Sequence, residues 1–132
     1  MLLPDGRAFC VPHNATEARI YNPVSDTLTI PNGTYPGNGA YAGGVLLPDR
    51  RVFCVPRGAT EARIYDPVND TLTTPNSTYP GNGAYAGGVL LPDGRVFCVP
   101  RGASSGSVYG GIYPTGIQLP DARLLSAYDN KL

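Results

Sequence analysis

The sequence predicts an all-β protein made of tandem antiparallel repeats. Leu2–Val45 and Leu46–Val89 align without a gap over 44 residues and differ at only eight positions. A third copy opens at Leu90, follows the pattern to Ala103 and then departs. The 17 Gly and 14 Pro punctuate a chain of 132 residues that is still 42% hydrophobic, a mix that suits turn-rich β structure better than disorder. No segment carries the 3.6-residue period of a helix longer than a turn or two. The chain therefore reads as a single repeat domain with units at 2–45, 46–89 and 90–132, the last one atypical.

Each unit begins with a hairpin. Ala42–Leu47 is an apolar run with β-branched Val45, and Pro48-Asp49 follows where a tight turn favours Pro. The sister turns read Asp5-Gly6 and Asp93-Gly94, a standard hairpin signal. The middle copy has Arg50 in place of that Gly. If the position needs positive φ, Arg50 carries about 1 kcal/mol of strain. Arg51–Val55 returns as the second strand and Pro56 ends it. A second hairpin pairs Ala62–Tyr65 with Thr71–Thr74 across the turn Asp66–Asp70, whose Pro and Asx residues favour chain reversal, and Pro75 stops it. Asn76–Gly83 is a loop into the next copy.

The faces of these strands differ. In the first hairpin Val45, Leu47, Val52 and Cys54 fall on one set of positions and Leu46, Phe53 and Val55 on the other, so both faces are apolar and the hairpin is internal. In the second, Ile64 and Leu72 alternate with Arg63, Thr71 and Thr73, which predicts one wet face and a peripheral place. Gly43-Gly44 opens the innermost strand, where absent side chains permit close backbone approach. Four strands in 44 residues, buried inside and wet outside, match the needs of a β-propeller blade.

Gly-Gly-Val-Leu-Leu-Pro-Asp-Gly-Arg-Val-Phe, with Ile64-Tyr65-Asp66-Pro67 and Asn69-Asp70-Thr71, resembles a Kelch-type or galactose-oxidase-type propeller repeat. The resemblance covers about 100 of the 132 residues. It departs from the usual Kelch unit in having Leu28 and Leu72 where a Trp is expected, and in placing the Gly pair before the first strand. More narrowly, the chain is similar to arrays of Leu-Pro-Asp-Gly-Arg-Val repeats in bacteriophage and algal-virus proteins. Leu124–Leu132 is similar to the tail that closes some of them. The resemblance implies a fold and a virion setting. It does not carry oxidase activity, which needs copper with several His and Tyr ligands, because the chain has one His.

The end of the chain can be aligned in two ways. Without gaps, Val108-Tyr109 falls on Ile64-Tyr65. Alternatively, Tyr109–Gly116 mimics Tyr85–Val89 with its turn, and Asp121–Leu124 mimics Glu61–Ile64. The second alignment matches more residue types and makes the end a shortened terminal unit.

Ten basic and ten acidic side chains give zero formal charge, which argues against nucleic acid. No basic segment followed by an apolar run marks a signal peptide, and no stretch approaches the ~20 apolar residues that cross a bilayer. Cys10, Cys54 and Cys98 occupy one place in successive units, so they read as buried thiols rather than a disulfide framework. Three blades fall short of the roughly 4–8 that close a propeller, and the first copy begins without its Ala-Tyr-Ala-Gly-Gly-Val strand. An open edge recruits a partner. A homo-oligomer is expected: a two-chain ring, a threefold knob, or a stack docked on a larger protein assembly.

Chemistry is sparse in this chain. His13, where other copies have Arg57 and Arg101, has no nucleophile or carboxylate special to its unit. No phosphate loop or His-x-x-x-His occurs, and no cofactor or metal is implied. Four sequons, at Asn14, Asn32, Asn69 and Asn76, fall in turn-rich segments. The best binding candidates are the loops holding Tyr35, Asn38 and Tyr41, and Tyr79, Asn82 and Tyr85. Tyr among Gly and Asn is recognition-loop chemistry and stacks on sugars; equally, these rings pack between neighbouring units. The expectation is a non-enzymatic structural or interaction protein at a virion surface (a decoration protein, spike or tail-fibre part), with a carbohydrate-binding module as the alternative.

Overall fold

The computed structural model describes residues 1–110, and these are all-β without helix. Ten strands form three antiparallel sheets: β1 (Ala8–Cys10), β2 (Arg19–Asn22) and β3 (Thr27–Thr29); β4 (Tyr41–Leu46), β5 (Val52–Pro56), β6 (Arg63–Asp66) and β7 (Thr71–Thr73); β8 (Tyr85–Leu90), β9 (Val96–Pro100) and β10 (Ser107–Tyr109). Each sheet is a meander of sequential neighbours. Neither a closed barrel nor a closed ring of sheets is present among the described residues. The second sheet starts at Tyr41, ahead of Leu46, so the arithmetic repeat boundary falls at the end of a strand and not between sheets.

Register repeats with the sequence. Phe9 faces Ile20 across β1 and β2, Phe53 faces Ile64 across β5 and β6, and Phe97 faces Val108 across β9 and β10. That last pairing settles the end of the chain as far as Gly110. Ser107–Tyr109 is the third strand of the third sheet, with Tyr109 opposite Val96 as Tyr65 is opposite Val52. The fold follows the gapless alignment here, because the β9–β10 ladder holds Val108-Tyr109 in the place of Ile64-Tyr65. The proposed matches beyond Gly110 and the tail at Leu124–Leu132 lie outside the described residues.

The turns explain the repeated signature. In every first hairpin an Asp carboxylate accepts the backbone N–H and the Nε–H of the Arg two residues on: Asp5 with Arg7, Asp49 with Arg51, Asp93 with Arg95. The Arg7 N–H, helped by the Arg7 side chain, holds the Asp5 carboxyl below its usual range against slight desolvation. The intervening residue takes φ of 90° at Gly6, 89° at Gly94 and 74° at Arg50, so the middle turn holds a non-glycine residue in the left-handed region. In the second hairpins Asn22 and Asp66 cap the turn by accepting the N–H groups two and three residues on. Asp26 and Asp70 adopt φ of 55° and 53° and accept the hydroxyls of Tyr21 and Tyr65.

Met1 and Leu2 take the place of the first strand in unit 1. The Met1 ammonium donates to the Phe9 carbonyl at 2.6 Å, the Phe9 N–H donates back to Met1 O at 2.8 Å, and Leu2 bridges Ala8. These residues stand where Val45 pairs Phe53.

Candidate functional site

Three similar sheets stack face to face, and the space between them is where the chain places its aromatic and thiol groups. One core, between units 1 and 2, contains Leu3, Phe9, Ala18, Ile20, Tyr35, Ala40 and Tyr41 against Val52, Cys54 and Tyr65. The other, between units 2 and 3, contains Leu47, Phe53, Ala62, Ile64, Tyr79, Ala84 and Tyr85 against Val96 and Cys98, with Tyr109 packed on it. Adding 44 to each of these residues of the first gives its counterpart in the second, which also buries Val45 and Val55. The two interfaces are one interface made twice.

The strand period decides which face meets which neighbour. On β5, Val52 and Cys54 point to unit 1 while Phe53 and Val55 point to unit 3, and all four are buried. The doubly apolar hairpin is therefore covered on both sides, as its pattern requires. Strand β6 departs from expectation. Ile64 is 2% exposed, but so is Tyr65 on the opposite face. Tyr65 is covered because its ring stacks on Phe9 of the preceding unit at 4.8 Å and 21°. Phe53 stacks on Tyr109 at 4.6 Å and 23° in the same way. The wet strands are β3 and β7.

Close approach depends on glycine at one position. A Cβ on Gly88 would sit 3.0 Å from Val55, 3.1 Å from Val45 and 3.2 Å from Val96, and one on Gly44 would sit 2.9 Å from Val11. Each innermost strand thus lies against the first hairpin of the unit before it.

The candidate loops serve this stacking. Tyr35, Tyr41, Tyr79 and Tyr85 are all buried. Their rings meet edge to face in pairs, Tyr35 with Tyr41 at 5.9 Å and Tyr79 with Tyr85 at 6.1 Å. The ring faces are thus occupied within the interface and not presented to solvent. Asn38 and Asn82 are exposed, with φ of 53° and 54°. Backbone hydrogen bonds run through both loops as a spine. Tyr35 N–H donates to Thr16 O and Ala40 N–H to His13 O; Arg57 and Ala59 N–H then donate to Ala40 O. Arg57 O in turn accepts from Ala84 N–H, and Ala84 O from Arg101 and Ala103 N–H. His13 belongs to this framework, its Nδ1 lying 2.9 Å from Tyr41 O.

Burial is the main cause of the shifted acidities. It pushes the Cys54 thiol up to about 12 and the Cys98 thiol up to about 11. It raises Tyr41 to about 12 although the Arg63 charge opposes it, and it raises Tyr35 further. Tyr35 Oη is buried with no hydrogen-bond partner among the described residues, whereas Tyr79 Oη accepts from Ser77 Oγ at 3.1 Å. Ser77 stands where unit 1 has Gly33.

The thiols do not share one environment. Cys54 and Cys98 are buried, but Cys10 is exposed, which corrects the expectation of three buried thiols. The physical reason is that no sheet among the described residues lies against the face of unit 1 bearing Cys10. Among the described residues no three His, Cys, Asp or Glu side chains converge as metal ligands, and no helix is long and apolar enough to cross a membrane. Sequence reasoning missed the Tyr-on-Phe stack between units, although the recurrence of Tyr21, Tyr65 and Tyr109 at 44-residue spacing was a usable signal. No protein-family model matches the chain, and no curated protein matches it.

Proposed function

We propose that this chain is a non-enzymatic structural and interaction protein whose propeller-blade-like units assemble with further copies of the chain on a larger protein assembly. What supports this reading most is the repeated interface. The side chains richest in binding chemistry (Phe, Tyr and Cys) are those that join one sheet to the next. The chain's principal chemistry is then self-recognition between units. Its virus-array resemblance makes a virion surface the setting, as a decoration protein, spike or tail-fibre part.

Static light scattering on the purified full chain at micromolar concentration tests the assembly. The expected result is a mass at least twice the chain's 13.9 kDa. A monomeric mass throughout that range would refute it.

A further inference from the structure

The repeated interface has two different halves, and each end of the described stack exposes one of them. The half that unit 2 offers to unit 1 consists of Leu46, Val52, Cys54, Tyr65 and Leu72. Its counterpart on unit 1 is Leu2, Ala8, Cys10, Tyr21 and Leu28. There Leu2 is 69%, Tyr21 36% and Leu28 59% exposed, against 2% for Tyr65. The half that unit 2 offers to unit 3 includes Leu47, Phe53, Val55 and Ile64, all buried. Its counterpart on unit 3 is Leu91, Phe97, Val99 and Val108, with Val99 and Val108 exposed. Phe97, which stacks on no Tyr among the described residues, lies over Gly106 at the place of Ala18 and Ala62.

We propose that these two faces dock on each other between chains, unit 3 of one copy against unit 1 of the next. The occupant follows from continuity with an interface the molecule already makes twice: its sheet-face residues recur on unit 3 and unit 1, with Val108 for Ile20, Gly106 for Ala18 and Ala8 for Val52. Phe97 then stacks on Tyr21 of the next copy, as Phe9 stacks on Tyr65 and Phe53 on Tyr109. Cys10 takes the covered place that Cys54 and Cys98 hold. Such an interface is heterologous: it gives a ring if the rotation closes and a filament if it does not. This deepens the assembly reading above and rests on it.

The test uses two variants of the full chain, each damaging one exposed face: Tyr21→Asp on unit 1 and Val108→Asp on unit 3. Leu28→Asp and Val99→Asp are substitutes if either fails to give the wild-type circular dichroism spectrum. Sedimentation should show wild type assembling, each variant alone monomeric, and an equimolar mixture forming a 1:1 heterodimer that grows no further. Labelling with a chromogenic disulfide reagent supplies a second readout. Cys10 of Val108→Asp should slow about tenfold when its partner is present at ten times the dissociation constant, while Cys10 of Tyr21→Asp stays fast. Single variants that assemble like wild type, or a mixture that stays monomeric while wild type assembles, overturn head-to-tail docking and leave the assembly reading standing. A wild-type monomer with Cys10 equally fast at all concentrations overturns both.

Discussion

Arg50 stands where its two sister turns have glycine, so relieving it should stabilise the protein. The backbone there has φ of 74°, against 90° at Gly6 and 89° at Gly94. Left-handed backbone costs an L-residue roughly 1–2 kcal/mol. Glycine returns part of that gain, about 0.4–1 kcal/mol, through the larger freedom of the unfolded chain. Arg50→Gly should therefore gain about 0.5–1 kcal/mol, or about 2–5 °C in Tm for a domain of this size. The reciprocal change is a clean control. A Cβ on Gly6 meets nothing within 4 Å, so Gly6→Arg introduces backbone strain without a clash and should lose a similar amount. Arg50→Asn separates the two contributions, since Asn tolerates this region better than Arg without the entropy of glycine. Differential scanning calorimetry at matched protein concentration reads all three. If Arg50→Gly lowers Tm, or Gly6→Arg leaves it unchanged, the strain argument is wrong.

Other substitutions probe the stacking itself. Tyr35→Phe removes a buried hydroxyl that has no partner among the described residues and should be neutral or slightly stabilising; Tyr79→Phe deprives Ser77 of its acceptor and should cost about 0.5–1.5 kcal/mol in urea unfolding. Gly88→Ala pushes a methyl against three valines and should cost about 1–3 kcal/mol, with a lower urea midpoint and unchanged slope. Alkaline stability should fall early. Folded Cys98 and Cys54 hold their protons up to about 11 and 12 while unfolded thiols lose theirs near 9. The folded chain then binds more protons, so stability is complete below pH 9 and declines as pH rises through 9–12. Replacing both by Ala should flatten that decline in urea titrations between pH 8 and 11; an unchanged slope would exclude the thiols as its source.

Much of this fold could be read from residue order alone. Alternation on Val52–Val55 implied cover on both faces, and turn residues located both hairpins of each unit. The repeat length announced that one interface would recur. What escaped was information that exists only between sheets. Tyr65 on its own strand looks like an outer residue, and only Phe9, fifty-six positions earlier, makes it a core residue. The loop tyrosines were ambiguous for the same reason. Their residue type suits a binding surface and an interface equally, and burial distinguishes the two. Cys10 differs from Cys54 and Cys98 because no described sheet covers its face, so identical sequence does not carry identical environment.

The near identity of the two interfaces bears on how the chain folds. Of the eight positions that differ between units 1 and 2, only Ala8/Val52 falls within the paired sheet faces described above. Side-chain complementarity thus hardly distinguishes a unit's own neighbour from the same unit in another molecule. Correct pairing must come from the tether, the short segment from Pro31 to Ala40 that keeps consecutive units at a local concentration on the order of millimolar. Refolding yield should then depend on dilution, with exchanged units accumulating as chain concentration rises toward that limit.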